Sequence, residues 1–373
     1  MLRRGDKKIR RAAQMKIVCF HLFNNYSGSP TILCTVLQGL LERGYDIDLI
    51  TSSGKGALDD LQGNFHRYVY NYDFSDNKLC AFLKISLVQI YTFFLSFRYL
   101  FRKNVVFYIN TLLPILPAVA GKLMGKRVIF HYHENAHVKG LYYRLKCKCM
   151  EWLADEIICV SQYQASFLKR GHHITVVHNS LSDKFINRLN PNPQAAFGRQ
   201  TVLMLSSLSK HKGVCDFIVL AAELPNYEFN LIISDTNANI ARFIENSGLS
   251  VPDNLHIYDR QKDTVPFYNA ASVVVNMTDR RFAVETFGLT ALEAMAAGLP
   301  TIVPTVGGIA EIVKDGVNGY KCDSTDLKKI AETIELLLTN EKLYLELADN
   351  ALKEARRYDV RTMINNIEDV LCR

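Results

Sequence analysis

The chain has 373 residues, 49% of them apolar and 22% charged, which excludes a disordered or collagen-like polypeptide and suffices for two hydrophobic cores. Its formal charge of +7 is unevenly spread: residues 1–190 carry 26 Lys and Arg against 13 Asp and Glu, residues 191–373 only 18 against 24. The first half therefore favours an anionic partner and the second does not.

Residues 1–14, MLRRGDKKIRRAAQ, are basic and lack an apolar segment, so they read as an extension or disordered arm and not as a signal peptide. Residues 16–23 form a short apolar run, expected to be a strand. A turn follows over 24–30, then a helix with apolar residues at Ile32, Leu33, Val36, Leu37, Leu40 and Leu41. Gly44 ends it, and 45–51 read as the next strand. That is a β-α-β unit, which implies a parallel sheet. Residues 79–101 are apolar and aromatic with flanking Lys and Arg. The uninterrupted apolar stretch, 85–97, is shorter than the ~20 residues that span a bilayer. It is expected either to pack on the sheet or to lie in a membrane surface. Further buried strands are expected at 105–109, 128–132, 156–160 and 175–178.

Residues 186–198, INRLNPNPQAAFG, carry Asn, two Pro and Gly and are read as a linker. A second series of strands is expected at 201–205, 228–234, 255–258, 272–276 and 300–304. The last segment, 358–373, is amphipathic and is expected to pack back on the first domain. The expected architecture is α/β, with two doubly wound parallel-sheet domains, 15–188 and 189–357, facing across a cleft. Nine cysteines at irregular spacings, none in a Cys-x-x-Cys pair, argue for a reducing compartment and against a zinc site.

The densest chemistry lies in RFAVETFGLTALEAMAAGL, residues 281–299. Glu285 and Glu293 flank Thr286-Phe287-Gly288-Leu289-Thr290, where a helix begins. Gly288 lets backbone approach a ligand, and the first amides of the helix, at Leu289 and Thr290, have no partners within it. They suit a diphosphate, and the carboxylates suit paired sugar hydroxyls.

This stretch, the following GLPTIVPTVGGIAEIVKDGVNGY and the N-terminal GSPTILCTVLQGLLERGYDIDLIT resemble the family 4 glycosyltransferases of the GT-B fold, in particular bacterial polysaccharide-building members. The resemblance implies transfer of a sugar from a nucleotide donor to an acceptor, with retention and without a metal or other cofactor. It implies catalytic roles for Lys212, Glu285 and His133. It implies donor contacts from Gly28, Ser29, Ser207, Lys212, Glu285, Phe287, Gly288, Leu289, Thr290 and Glu293. Ser207 stands where the family usually has an Arg, so one leaving-group cation is missing, and Lys210 or His211 are the substitutes at hand. Asn110, Thr111, His131 and Glu134 are expected on the acceptor side. Gly307, Gly308 and Glu311 resemble the family's Gly-Gly-x-x-Glu turn.

Asp46-x-Asp48 resembles the metal pair of the other large glycosyltransferase class, but it lies inside a strand and is read as structural. The expected partners are a nucleotide-sugar donor, a glycan or lipid-linked acceptor and an anionic membrane surface met by the basic half. Nucleic acid is not expected, since no reader motif is present. The expected location is cytoplasmic, on the inner face of a membrane. A nucleotide-sugar 2-epimerase on the same fold and a non-catalytic sugar-binding protein are the alternatives.

Overall fold

Runs of β-branched and aromatic residues with no polar alternation make strands that are covered on both faces, as parallel sheets require. The computed structural model describes residues 15–72, 77–136, 138, 140–169 and 173–373, so the basic stretch 1–14 lies outside the described residues. The first sheet has seven strands, β1 (Lys16–Phe20), β2 (Asp46–Ser52), β3 (His66–Tyr70), β4 (Val105–Asn110), β5 (Arg127–Tyr132), β6 (Glu156–Cys159) and β7 (Ile174–Val176), in the order β3-β2-β1-β4-β5-β6-β7. The second has β8 (Thr201–Ser206), β9 (Glu228–Ile233), β10 (Leu255–Tyr258), β11 (Val273–Val275), β12 (Thr301–Val303) and β13 (Gly319–Lys321), in the order β10-β9-β8-β11-β12-β13. Every strand pairing is parallel. Strand order reverses between β1 and β4 in one sheet and between β8 and β11 in the other. Ligands of open α/β sheets sit outside the strand carboxyl ends at such points.

The chain divides into two units. One runs to Ser180 and resumes at Val360–Arg373, and the other is Leu181–Asp359. The passage thus falls at 180/181, not at the linker read over 186–198. Asn192 explains the difference: its Oδ1 accepts from the Ala195 amide at 3.1 Å and Pro193 occupies the first turn, so Asn-Pro starts a helix, Pro193–Arg199. Leu189 and Ala196 then join the second core.

Right-handed crossovers set the helices of the first unit in two layers. The Gly28–Glu42 helix packs with the C-terminal helix Val360–Cys372, which buries Met363, Ile364, Ile367, Val370 and Leu371. Arg43 pairs with Glu368 at 2.9 Å, and Arg127 donates to the carbonyls of Val370 and Leu371 at 2.7 Å each. The helices Lys78–Ser96, Ile115–Leu123 and Leu141–Leu153 pack side by side in the other layer.

Candidate active site

In the second unit, β8 ends at Ser206 and the chain turns through Lys210–Lys212 before the helix Val214–Glu223. That turn delivers Lys212 Nζ to Glu285 Oε1 at 2.5 Å, and Thr278 Oγ1 donates to the same oxygen at 3.1 Å. Burial pushes the Glu285 carboxyl up, and the ammonium of Lys212, with the hydrogen bonds of Thr278 and Asn276, more than reverses this to hold it below the usual carboxylate range. Glu285 is therefore an anion opposed by one cation at neutral pH.

Three residues on, the helix Leu289–Ala296 begins. No side chain caps its start, which leaves the Leu289 and Thr290 amides for a ligand. Gly288 has φ +95°, and a Cβ there would lie 2.4 Å from Ile309 Cγ1, so only glycine permits this entry. The Gly308 amide donates to the Glu285 carbonyl at 2.8 Å. Gly307, at φ +114°, lets the two segments meet: a Cβ would come within 2.6 Å of that carbonyl. The Gly307-Gly308 turn thus braces the backbone of Glu285.

Glu293 lies inside the same helix. Its Oε2 accepts from the Tyr268 hydroxyl at 2.5 Å; burial raises its pKa to about 7, against the lowering effect of that bond. Phe287 is buried, its ring 5.8 Å from that of Tyr358, so its side chain belongs to the core and only its backbone can meet a donor. Ser207 is exposed and brings no charge. His211 bonds Ser209 Oγ through Nδ1 at 2.7 Å, and burial with the neighbouring Lys212 lowers its pKa, so it is a neutral group near the pair at pH 7. Lys210 is exposed.

In the first unit, the strand ends gather a buried polar chain. Asn110, ending β4, bridges His133 Nε2 and His21 Nδ1, each at 3.0 Å. The ring of His131 lies 4.1 Å from that of His133, and its Nδ1 meets the Tyr108 hydroxyl at 2.7 Å. Burial holds His21 at about 4, His131 at about 3 and His133 well below the ordinary value, the last aided by the other two rings. All three imidazoles are neutral at pH 7.

Both carboxylate oxygens of Glu134 accept from the Leu112 amide, at 3.0 and 3.1 Å. This holds the turn in which Thr111, at φ +75°, donates its amide to the His131 carbonyl. Of the residues expected on the acceptor side, Asn110 thus bonds His133 and His21, His131 bonds Tyr108, Glu134 accepts from the Leu112 and His133 amides, and the Thr111 amide meets the His131 carbonyl. Asn110→Leu removes the partner of two buried ring nitrogens. It should destabilise the fold by ~1–3 kcal/mol for each group left unpaired. Urea unfolding checks this, and an unchanged midpoint would remove Asn110 from the support.

Gly28 and Ser29 lie in the first turn of the helix Gly28–Glu42, which starts inside the turn expected over 24–30 because Pro30 is tolerated in a first turn. The Ser29 carbonyl is 3.5 Å from Asn110 Nδ2. Asp46 and Asp48 each lie 2.7 Å from Lys16 Nζ, and Arg102 also reaches Asp46 at 2.9 Å. With His66 the two carboxylates make a compact donor set, but the ammonium of Lys16 already lies between them.

Sequence reasoning missed His21, Tyr268 and Thr278. His21 had a usable signal, since it directly follows β1 as His133 directly follows β5. Tyr268 and Thr278 had none, because only folding brings them to the two glutamates.

Residues 26–184 match the family described as glycosyltransferase family 4, and residues 188–354 that described as glycosyl transferases group 1. The protein is a family 4 glycosyltransferase. A glycosyltransferase of Haemophilus influenzae, itself uncharacterized, is 21% identical over 96% of this chain and 100% of its own length. The N,N'-diacetylbacillosaminyl-diphospho-undecaprenol alpha-1,3-N-acetylgalactosaminyltransferase of Campylobacter jejuni is 28% identical over 56% of this chain and 52% of its own. Among solved structures, HepE of Anabaena in complex with UDP and glucose superposes with a TM-score of 0.76 at 20% identity, covering 96% of this chain and 99% of that one. That likeness gives this family 4 member the GT-B fold, two parallel-sheet α/β units joined in one chain.

Proposed function

We propose that this glycosyltransferase moves a sugar, with retention, from a nucleoside diphosphate donor to a hydroxyl of a glycan or lipid-linked glycan in surface polysaccharide synthesis, on the cytoplasmic side of a membrane. The observation that carries the reading is Lys212 paired to Glu285 beside the uncapped start of the Leu289–Ala296 helix. The complexes of HepE with UDP and with UDP-glucose, and the undecaprenol-linked substrate in the name of the Campylobacter relative, favour this class of donor and acceptor.

As the glycosidic bond breaks, the electron pair stays on the departing phosphate oxygen. Lys212 and the Leu289 and Thr290 amides stabilise that charge, and groups fixed in advance in this way are usually the largest catalytic term. Glu285 accepts from the sugar hydroxyls and Glu293 from those of the ribose. The acceptor hydroxyl attacks the face that the phosphate leaves, and its proton passes to the departing phosphate oxygen.

Mass spectrometry of the protein with UDP-, GDP- and ADP-sugars and a lipid-linked glycan tests the reading. One nucleoside diphosphate should be released while the acceptor gains the sugar with its anomeric configuration kept. An isomerised donor without any acceptor would replace transfer by epimerisation, and binding without release would replace it by a sugar-binding role.

A further inference from the structure

The crossover helix Lys78–Ser96 differs from an ordinary surface helix in being apolar on its outer face as well. Its face towards the protein carries Val88 with Gln89, Thr92 and Ser96, all buried, and Leu95 packs on the core. Gln89 satisfies the Leu116 amide at 3.0 Å and also donates to the Leu113 carbonyl, while Thr92 and Ser96 bond carbonyls of their own helix. Its outer face carries Leu79, Phe82, Leu83, Leu87, Ile90 and Phe94, each 47–67% exposed. The spacing 79, 83, 87, 90, 94 is one stripe along the whole helix. Phe101, just beyond, is 94% exposed.

The helix packed beside it, Ile115–Leu123, and the one packed on that in turn, Leu141–Leu153, add exposed Leu123, Leu141, Leu145 and Trp152, the chain's single tryptophan. So many exposed large apolar side chains on neighbouring helices mark an interaction site.

Charge chooses the partner. The three helices carry Lys84, Lys122, Arg144, Lys146 and Lys148, and their single acid, Glu151, is buried and accepts from the Lys169 amide at 2.7 Å. Arg98, Arg102 and Lys103 follow the first helix. Lys122 is answered by Asp155 and Arg102 by Asp46, at 2.7 and 2.9 Å. Apolar side chains set among an excess of cations over carboxylates complement an anionic bilayer.

We propose that this three-helix layer docks the protein flat on an anionic membrane, with the stripe of the Lys78–Ser96 helix sunk into the headgroup boundary. By length and composition the 21 residues Leu79–Tyr99 could cross a bilayer. They lie on it instead, because β3 and β4, which they connect, are bonded into one sheet on either side of β2 and β1. The proposal stands apart from the sugar-transfer reading, since its test needs no substrate.

The test is flotation of the intact protein with phosphatidylglycerol–phosphatidylethanolamine vesicles, with phosphatidylcholine vesicles as control. The protein should float with the anionic vesicles, and lipids brominated near the headgroups should quench Trp152. Added salt should weaken binding without abolishing it, as the apolar stripe persists when cations are screened. L87E/F94E, exposed substitutions expected to leave thermal unfolding unchanged, should cut partitioning tenfold or more. No flotation, equal binding by the variant, unquenched Trp152, or a dimer that the variant turns into monomers would each overturn the proposal, the last by giving the face to a second copy of the chain.

Discussion

Lys212→Ala should lower turnover by ~10²–10³, the loss that follows removal of one donor to a developing oxyanion. The size follows from how little positive charge the site holds. Ser207 brings none, and His211 is kept neutral by burial and by Lys212 itself. Lys212 is thus the Lys or Arg that meets Glu285, and without it the helix amides alone face the departing phosphate. Its charge is answered by Glu285 at 2.5 Å, so an arriving diphosphate competes for an ammonium already in place.

The substitution also removes the largest of the effects that hold the Glu285 carboxyl low, leaving the hydrogen bonds of Thr278 and Asn276 to oppose burial, so its pKa rises. Steady-state kinetics with saturating acceptor separates the roles. A fall in kcat with donor KM nearly kept places Lys212 in the transition state. A raised donor KM with kcat retained would make it an anchor only. Lys212→Arg keeps the charge but not its position, and partial recovery in that variant would show that charge is what the step needs.

The fold was legible because its signals repeat. Apolar runs such as 16–20 and 105–110 have no polar alternation, and helices with 3.6 spacing lie between them, which together specify parallel sheets. What escaped was short, edge-placed or ambiguous in chemistry. β3, HRYVY, lies at a sheet edge with exposed His66 and Val69, so its sequence lacks a buried run. β13 has three residues. Asn192-Pro193 reads equally as a break and as a helix start, and only the buried Ala196 behind it decides.

The grouping of Glu285 and Glu293 about Gly288 was legible because glycine is needed where backbone must pass close. The first-unit residues were less so. A sequence shows that Asn110, His131 and Glu134 end strands, but whether a side chain faces a ligand or its neighbours depends on rotamers. Here Asn110 meets two imidazoles, and Glu134 accepts from the Leu112 and His133 amides.

Glu293→Gln should remove a pH dependence that the native protein carries in both stability and donor affinity. The Glu293 pKa is raised from 4.5 to about 7 in the folded protein. Between those values the folded state binds a proton that the unfolded chain has released. Stability therefore falls as pH climbs from about 4.5 to 7, and the contribution is flat above 7. The fall is at most ~3 kcal/mol, and smaller to the extent that water reaches the carboxyl. Gln is neutral throughout, so the variant should lose that slope in urea unfolding at pH 5, 6, 7 and 8.

Donor binding runs the other way. In the proposed function two ribose hydroxyls donate to the carboxylate, so the donor should select the ionised form and binding should release a proton. Between pH 6 and pH 8 the native donor KM should fall about tenfold, as linkage requires for a group of pKa near 7. The Gln variant should show a flat, raised KM with kcat little changed. Titration calorimetry in two buffers of different ionisation enthalpy would detect the released proton. A native KM that does not vary with pH, or proton uptake in place of release, would assign the ribose to another residue and leave Glu293 as the buried partner of Tyr268.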